Sequence, residues 1–124
     1  MDFKNLMAYQ KAFSLAMAIF EISKSFPKEE IYSLTDQIRR SSRSVCANFA
    51  EAYRKRLYPK NFTSKLSDSD AENSETLVCL DFCLGCGYIS EEEHNNFELQ
   101  VAEIGKLLNY IIKNPNKFGV ETEN

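Results

Sequence analysis

Residues 37–56 read QIRRSSRSVCANFAEAYRKR. No proline or glycine interrupts them, and the apolar residues do not alternate as a half-buried strand requires. At about 100° per residue, Ile38, Val45, Phe49 and Ala52 fall in one narrow arc, together with Leu34 just upstream. Arg39, Arg43 and Arg54 fall on the far side, with the small Ala47 and Ala50 between them. The stretch is therefore a helix with an apolar side and a basic side. It carries six arginines and lysines against one acid, Glu51, in a chain whose net charge is −3.

The flanks extend the same pattern. Ser33 with Asp36 three residues on is the expected cap of this helix, which runs over about 34–56. LYPK at 57–60 turns the chain, and Pro59 suits the first turn of a further helix reaching about residue 86. Phe62, Leu66, Leu77, Leu80 and Leu84 line its apolar stripe, which Ser69 and Asn73 interrupt as a polar layer. Gly87 is placed to end it. Upstream, residues 5–24 hold two apolar stripes, Leu6/Tyr9/Phe13/Met17/Phe20 and Ala8/Ala12/Leu15/Ile19/Ile22, so this helix needs cover on two sides. Downstream, Ser90 followed by Glu91, Glu92 and Glu93 starts a fourth helix. Phe97, Val101, Ile104, Leu108, Ile111 and Ile112 form its core face, and Asn114-Pro115 stops it.

Four helices with short links make an all-α, antiparallel four-helix bundle over residues 1–114, followed by a tail, 115–124, expected to be mobile. A chain of 124 residues fits one such domain. Its 44% hydrophobic and 27% charged residues are those of a soluble globular protein. No apolar run approaches the roughly 18 residues of a membrane span, and the N-terminal stretch has no secretory signal pattern. A cytoplasmic protein with reduced cysteines is expected.

The charge lies in blocks. Residues 39–65 hold eight basic side chains and one acid, and residues 66–105 hold ten acids and no base. A tight turn near residue 58 places Arg43 opposite Asn73, and Arg39 and Arg40 near Glu75. Arg39, Arg40 and Arg43 are therefore expected to form structural ion pairs with Glu72 and Glu75. Arg54, Lys55, Arg56, Lys60 and Lys65 remain around the hairpin tip, interleaved with Tyr53, Tyr58 and Phe62. Cations mixed with aromatic rings contact phosphates and stack on bases, so these five are the candidate nucleic-acid-binding residues.

Three other chemistries are weighed and set aside. CLDFCLGC at 79–86 has the C-x3-C-x2-C spacing of some iron–sulfur sites, but its cysteines share one helical arc among leucines, with no fourth nearby. His94 is the only histidine, reads as a surface residue and has no evident nucleophile to activate. The acids at 68–75 lack the Glu-x-x-His pairs of carboxylate metal bundles. No catalytic residue, cofactor or metal is expected.

The segment QIRRSSRSVCANFAEAYRKR, followed by FTSKLSDSDAENSET and GYIS, resembles a bacterial family usually called four-helix bundle proteins. Its first members are encoded in intervening sequences of 23S ribosomal RNA genes. The likeness runs from Phe3-Lys4-Asn5-Leu6 through FPKEEIYSL to the last helix, with Gln37, Arg39, Arg40, Ser44, Asn48, Ala50 and Glu51 matching its strongest pattern. Ala52 replaces a common glycine, and Cys79 a larger residue. The resemblance implies a bundle that assembles as a ring, a homopentamer, without catalysis. Relatives include accessory proteins of diversity-generating retroelements, which bind nucleic acid and a reverse transcriptase through basic ring surfaces.

The reading is then a non-enzymatic, oligomeric nucleic-acid-binding or scaffold protein acting on structured RNA or DNA. The alternative is a protein–protein scaffold whose basic residues serve its own interfaces.

Overall fold

The computed structural model describes residues 2–121. Four α-helices form, α1 (Met7–Ser23), α2 (Leu34–Arg54), α3 (Pro59–Gly85) and α4 (Glu91–Lys113), with short 3-10 turns between and beyond them. Each helix packs on the next, and α4 closes back on α1. The chain is thus an all-α bundle, with no strand among the described residues.

The apolar arcs face inward. Ile38, Val45, Phe49 and Ala52 of α2 meet Phe62, Leu66 and Leu80 of α3, Ile104 and Leu108 of α4, and Ala12, Leu15 and Ile19 of α1. Of the two stripes on α1, the alanine–isoleucine side is buried, whereas Phe13 and Met17 stay about half exposed in the single chain. The polar layer expected in α3 lies in the core. Ser69 Oγ donates to the Val45 carbonyl at 2.7 Å, Asn73 Nδ2 to the Val101 carbonyl at 2.9 Å, and the Thr76 and Ser41 hydroxyls meet at 2.9 Å. Each therefore keeps a hydrogen bond where an unpaired polar group would be costly. These pairs also fix the α2–α3 register.

The helix ends follow local chemistry. Ser90 Oγ accepts from the Glu93 amide, and Glu93 reaches back to the Ser90 amide, completing a capping box. Gly87, at φ 77°, closes α3 with Tyr88 N donating to the Cys83 carbonyl and Gly87 N to the Leu84 carbonyl. The start of α2 differs from expectation. Ser33 makes no cap; its hydroxyl donates to Glu30 at 2.6 Å, and the Glu30 carboxylate itself faces the Leu34 amide. Glu30 also accepts from the Tyr88 hydroxyl at 2.8 Å, tying this end of α2 to the α3–α4 link. That hydrogen bond to a carboxylate pushes the Tyr88 hydroxyl up to about 12.

The segment after α4, expected to be mobile, is packed as far as Val120. Pro115–Phe118 forms a 3-10 turn, Gly119 reverses the chain at φ 84°, and Val120 is buried. The apolar Phe118 and Val120 join the core, which the polar neighbours in NPNKFGVETEN obscure. Residues 122–124 lie outside the described residues.

Candidate nucleic-acid interface

The 100° step between neighbours on α2 divides the arginines between two partner helices. Arg40 turns towards α3, where Nη2 lies 2.7 Å from Glu75 and Nη1 3.6 Å from Glu72. Glu75 then Glu72 hold the Arg40 guanidinium above its usual range. Burial and the neighbouring Glu75 push the Glu72 carboxyl up, against the pull of Arg40.

Arg39 and Arg43 turn instead towards α1, so their expected pairing with Glu72 and Glu75 does not occur. Arg39 Nε donates to Ser23 Oγ at 2.8 Å. Its guanidinium lies 4.9 Å from the centre of the Phe20 ring, with Arg43 at 5.6 Å and Lys24 at 4.8 Å. Aromatic contact holds the two arginines without neutralising them, whereas Lys24 also pairs with Glu21 at 3.2 Å. Arg39, Arg40 and Arg43 line a shallow groove of about 530 Å³ with Tyr32, Asp36 and Ser44.

At the hairpin tip the five candidates separate. Arg54, Lys55 and Lys60 are exposed and make no ion pair among the described residues. Lys55 lies 6.0 Å over the ring of Tyr58, which is 59% exposed. Arg56 is half-buried, stacked 3.9 Å over Tyr53 and donating from Nε to the Tyr53 carbonyl. Its guanidinium passes Gly119 so closely that a Cβ there would approach within 3.0 Å. Lys65 is not free: Glu51 meets it at 2.8 Å across the α2–α3 register. Hydrogen bonding and charge from Glu51 raise its ammonium above the usual lysine range.

The aromatic residues divide too. Tyr53 and Phe62 are 6% and 1% exposed and belong to the core, leaving Tyr58 as the ring able to stack on a base. An open groove of about 1000 Å³ runs past Arg56, Leu57, Tyr58, Lys60 and Gly119, with Glu121 on its rim. The approach of Glu121 to this groove follows from the returning C-terminal segment and carries no local sequence signal.

His94, expected at the surface, is buried, with Nε2 2.7 Å from Asp81 Oδ1 on α3. The first turn of α4 packs on the end of α3, which no residue near His94 in sequence reveals. Cys46, Cys79 and Cys83 are buried, whereas Cys86 is exposed. Burial pushes the Cys46 thiol up to about 11 and Cys83 to about 12. Thiolate being the reactive form, a thiol reagent at about pH 8 should label Cys86 rapidly and the other three only on unfolding. Equal rates for all four would contradict this burial.

An antiparallel four-helix bundle whose hairpin tip and outer α2 side carry cations that make no ion pair among the described residues is the class of protein these observations define. The family described as 23S rRNA-intervening sequence protein matches residues 4–110, and the chain belongs to it. Among solved structures, a protein of unknown function from the S23 ribosomal protein family of Bacteroides thetaiotaomicron is similar at 30% identity and a TM-score of 0.77. The match covers 86% of this chain and 95% of that one. No curated protein matches the chain. No described helix is long and apolar enough to cross a membrane.

Proposed function

We propose that the protein is a non-enzymatic, cytoplasmic, oligomeric nucleic-acid-binding protein that engages structured RNA or DNA through the outer side of α2 and the α2–α3 tip. The observation that carries this reading is the set Arg54, Lys55 and Lys60, exposed and without an ion pair among the described residues, with Tyr58 beside Lys55 and Lys60. Arg56 borders the same groove. Arg39 and Arg43 extend the cationic side along α2, because an aromatic ring rather than a carboxylate holds them. From Arg39 to Arg54 the stripe spans about 22 Å at 1.5 Å per residue. Phosphate contacts release counterions, so affinity should fall steeply with salt. Titration with duplex RNA and duplex DNA at several salt concentrations tests the reading, and failure to bind either at low salt overturns it.

The protein acts in this proposal as a ring-shaped homo-oligomer, and the family resemblance favours a homopentamer. Met7, Phe13 and Met17 on the outer side of α1, and Val78 and Phe82 on α3, are about half or more exposed in the single chain. A second copy is the usual cover for such faces. Light scattering at micromolar concentration should give several chain masses; a mass near 14.3 kDa would sink the oligomer. These same faces favour the second reading, a protein–protein scaffold without nucleic-acid binding, and the salt titration separates the two.

A further inference from the structure

We propose that Asp81 of α3 with His94 and Glu98 of α4 forms a binding site for one divalent transition-metal ion of the zinc class. The three ligand atoms lie within 4.8 Å of one another. His94 and Glu98 are one helical turn apart and so share a face of α4, and Asp81 meets that face from α3. One imidazole nitrogen and two carboxylate oxygens, with a fourth position left for water, make a donor set that suits zinc.

Two features distinguish this cluster from a chance gathering of surface acids. The His94 side chain is 10% exposed, with Nε2 held 2.7 Å from Asp81, so one ligand is already fixed in direction. Asp81 and Glu98 bring two carboxylates together with no lysine or arginine paired to either among the described residues. Like charges so close repel unless a cation lies between them. Apart from the His94 imidazole, which is itself one of the three ligands, no cationic side chain is paired with them among the described residues. Imidazole favours zinc, cobalt or nickel over magnesium and calcium, which prefer oxygen alone.

A bound ion would join the C-terminal half of α3 to the start of α4. The site is about 33 Å along α3 from the basic tip, so it stands apart from the nucleic-acid reading. Its consequence is a metal-dependent clamp at one end of the bundle. At a free zinc concentration a hundred times Kd, the folded-to-unfolded ratio rises by about a hundredfold.

The test uses the full-length protein stripped with a chelator, titrated with zinc sulfate by calorimetry and with cobalt chloride by visible absorption. One ion per chain is expected, with a zinc-dependent rise in Tm and no displacement by calcium. The exposed pair D81N/E98Q, and separately H94Q, should weaken zinc binding by at least the ~10–100-fold that loss of a mere outer-shell partner costs. The variant C86S, which removes the exposed thiol, should bind as the parent does. No uptake at millimolar zinc, or unchanged affinity in D81N/E98Q, overturns the site; so does loss of binding in C86S. Because Asp81 and Glu98 are exposed, D81N/E98Q should keep the parent's circular dichroism and remain informative if H94Q fails to fold.

Discussion

Replacing Arg54, Lys55, Arg56 and Lys60 together with glutamine should weaken duplex binding by up to about three orders of magnitude at about 0.1 M salt. The slope of log affinity against log salt should flatten by as much as ~0.9 for each duplex phosphate that is no longer neutralised. Arg54, Lys55 and Lys60 are exposed, so the bundle should fold without them. Arg56 also stacks on Tyr53, and its loss should cost about 0.5–1 kcal/mol in stability. In a ring the tips would act together, and linked sites lose more than a single subunit suggests. A second variant, R39Q/R43Q, should also lower affinity and salt slope while leaving the Arg40 ion pairs with Glu72 and Glu75 in place. Wild-type binding by the tip variant would remove the tip from the interface. If R39Q/R43Q alone abolished binding, the outer side of α2 would be the whole surface.

Phe62→Ala should destabilise the protein by about 3–5 kcal/mol, a large part of the roughly 5–15 kcal/mol that holds a domain together. The corresponding fall in Tm is on the order of 10–20 °C. Phe62 is 1% exposed, one turn into α3, and is the largest of the fully buried side chains. Truncation leaves a cavity under the hairpin that carries the basic tip. Urea unfolding measures the loss directly. A variant of unchanged stability that no longer bound nucleic acid would mean that Phe62 meets a base and not the core.

These two experiments divide what local sequence can indicate from what it cannot. The four helices, the Ser90 capping box, the Gly87 stop and the α3 polar layer were legible because each depends on residues within a turn or two of one another. Helical period likewise determined which residues of α2 share a face, and the tight turn after it set the α2–α3 register. That register brings Ser41 to Thr76 and Glu51 to Lys65.

The faces toward which those residues turn were decided only by the tertiary structure. Adjacent arginines on α2 are separated by 100°, so a modest rotation of the helix exchanges their partners. Arg40 meets two glutamates of α3, while Arg39 meets a serine and an aromatic ring of α1. The same holds for Tyr53, which sequence places among the basic residues of the tip and packing places in the core, whereas Phe62 lies on the apolar stripe that the sequence already indicates. His94 and Asp81 are brought together by the close of α4 on α3, and Val120 returns past Gly119 to the core. The residues by themselves determined an amphipathic bundle with its positive charge gathered on α2 and the hairpin. Packing decided which of those charges are taken up by partners and which face outward, because hydrophobic burial sets helix rotation over the whole core and polar side chains take the neighbours it leaves them.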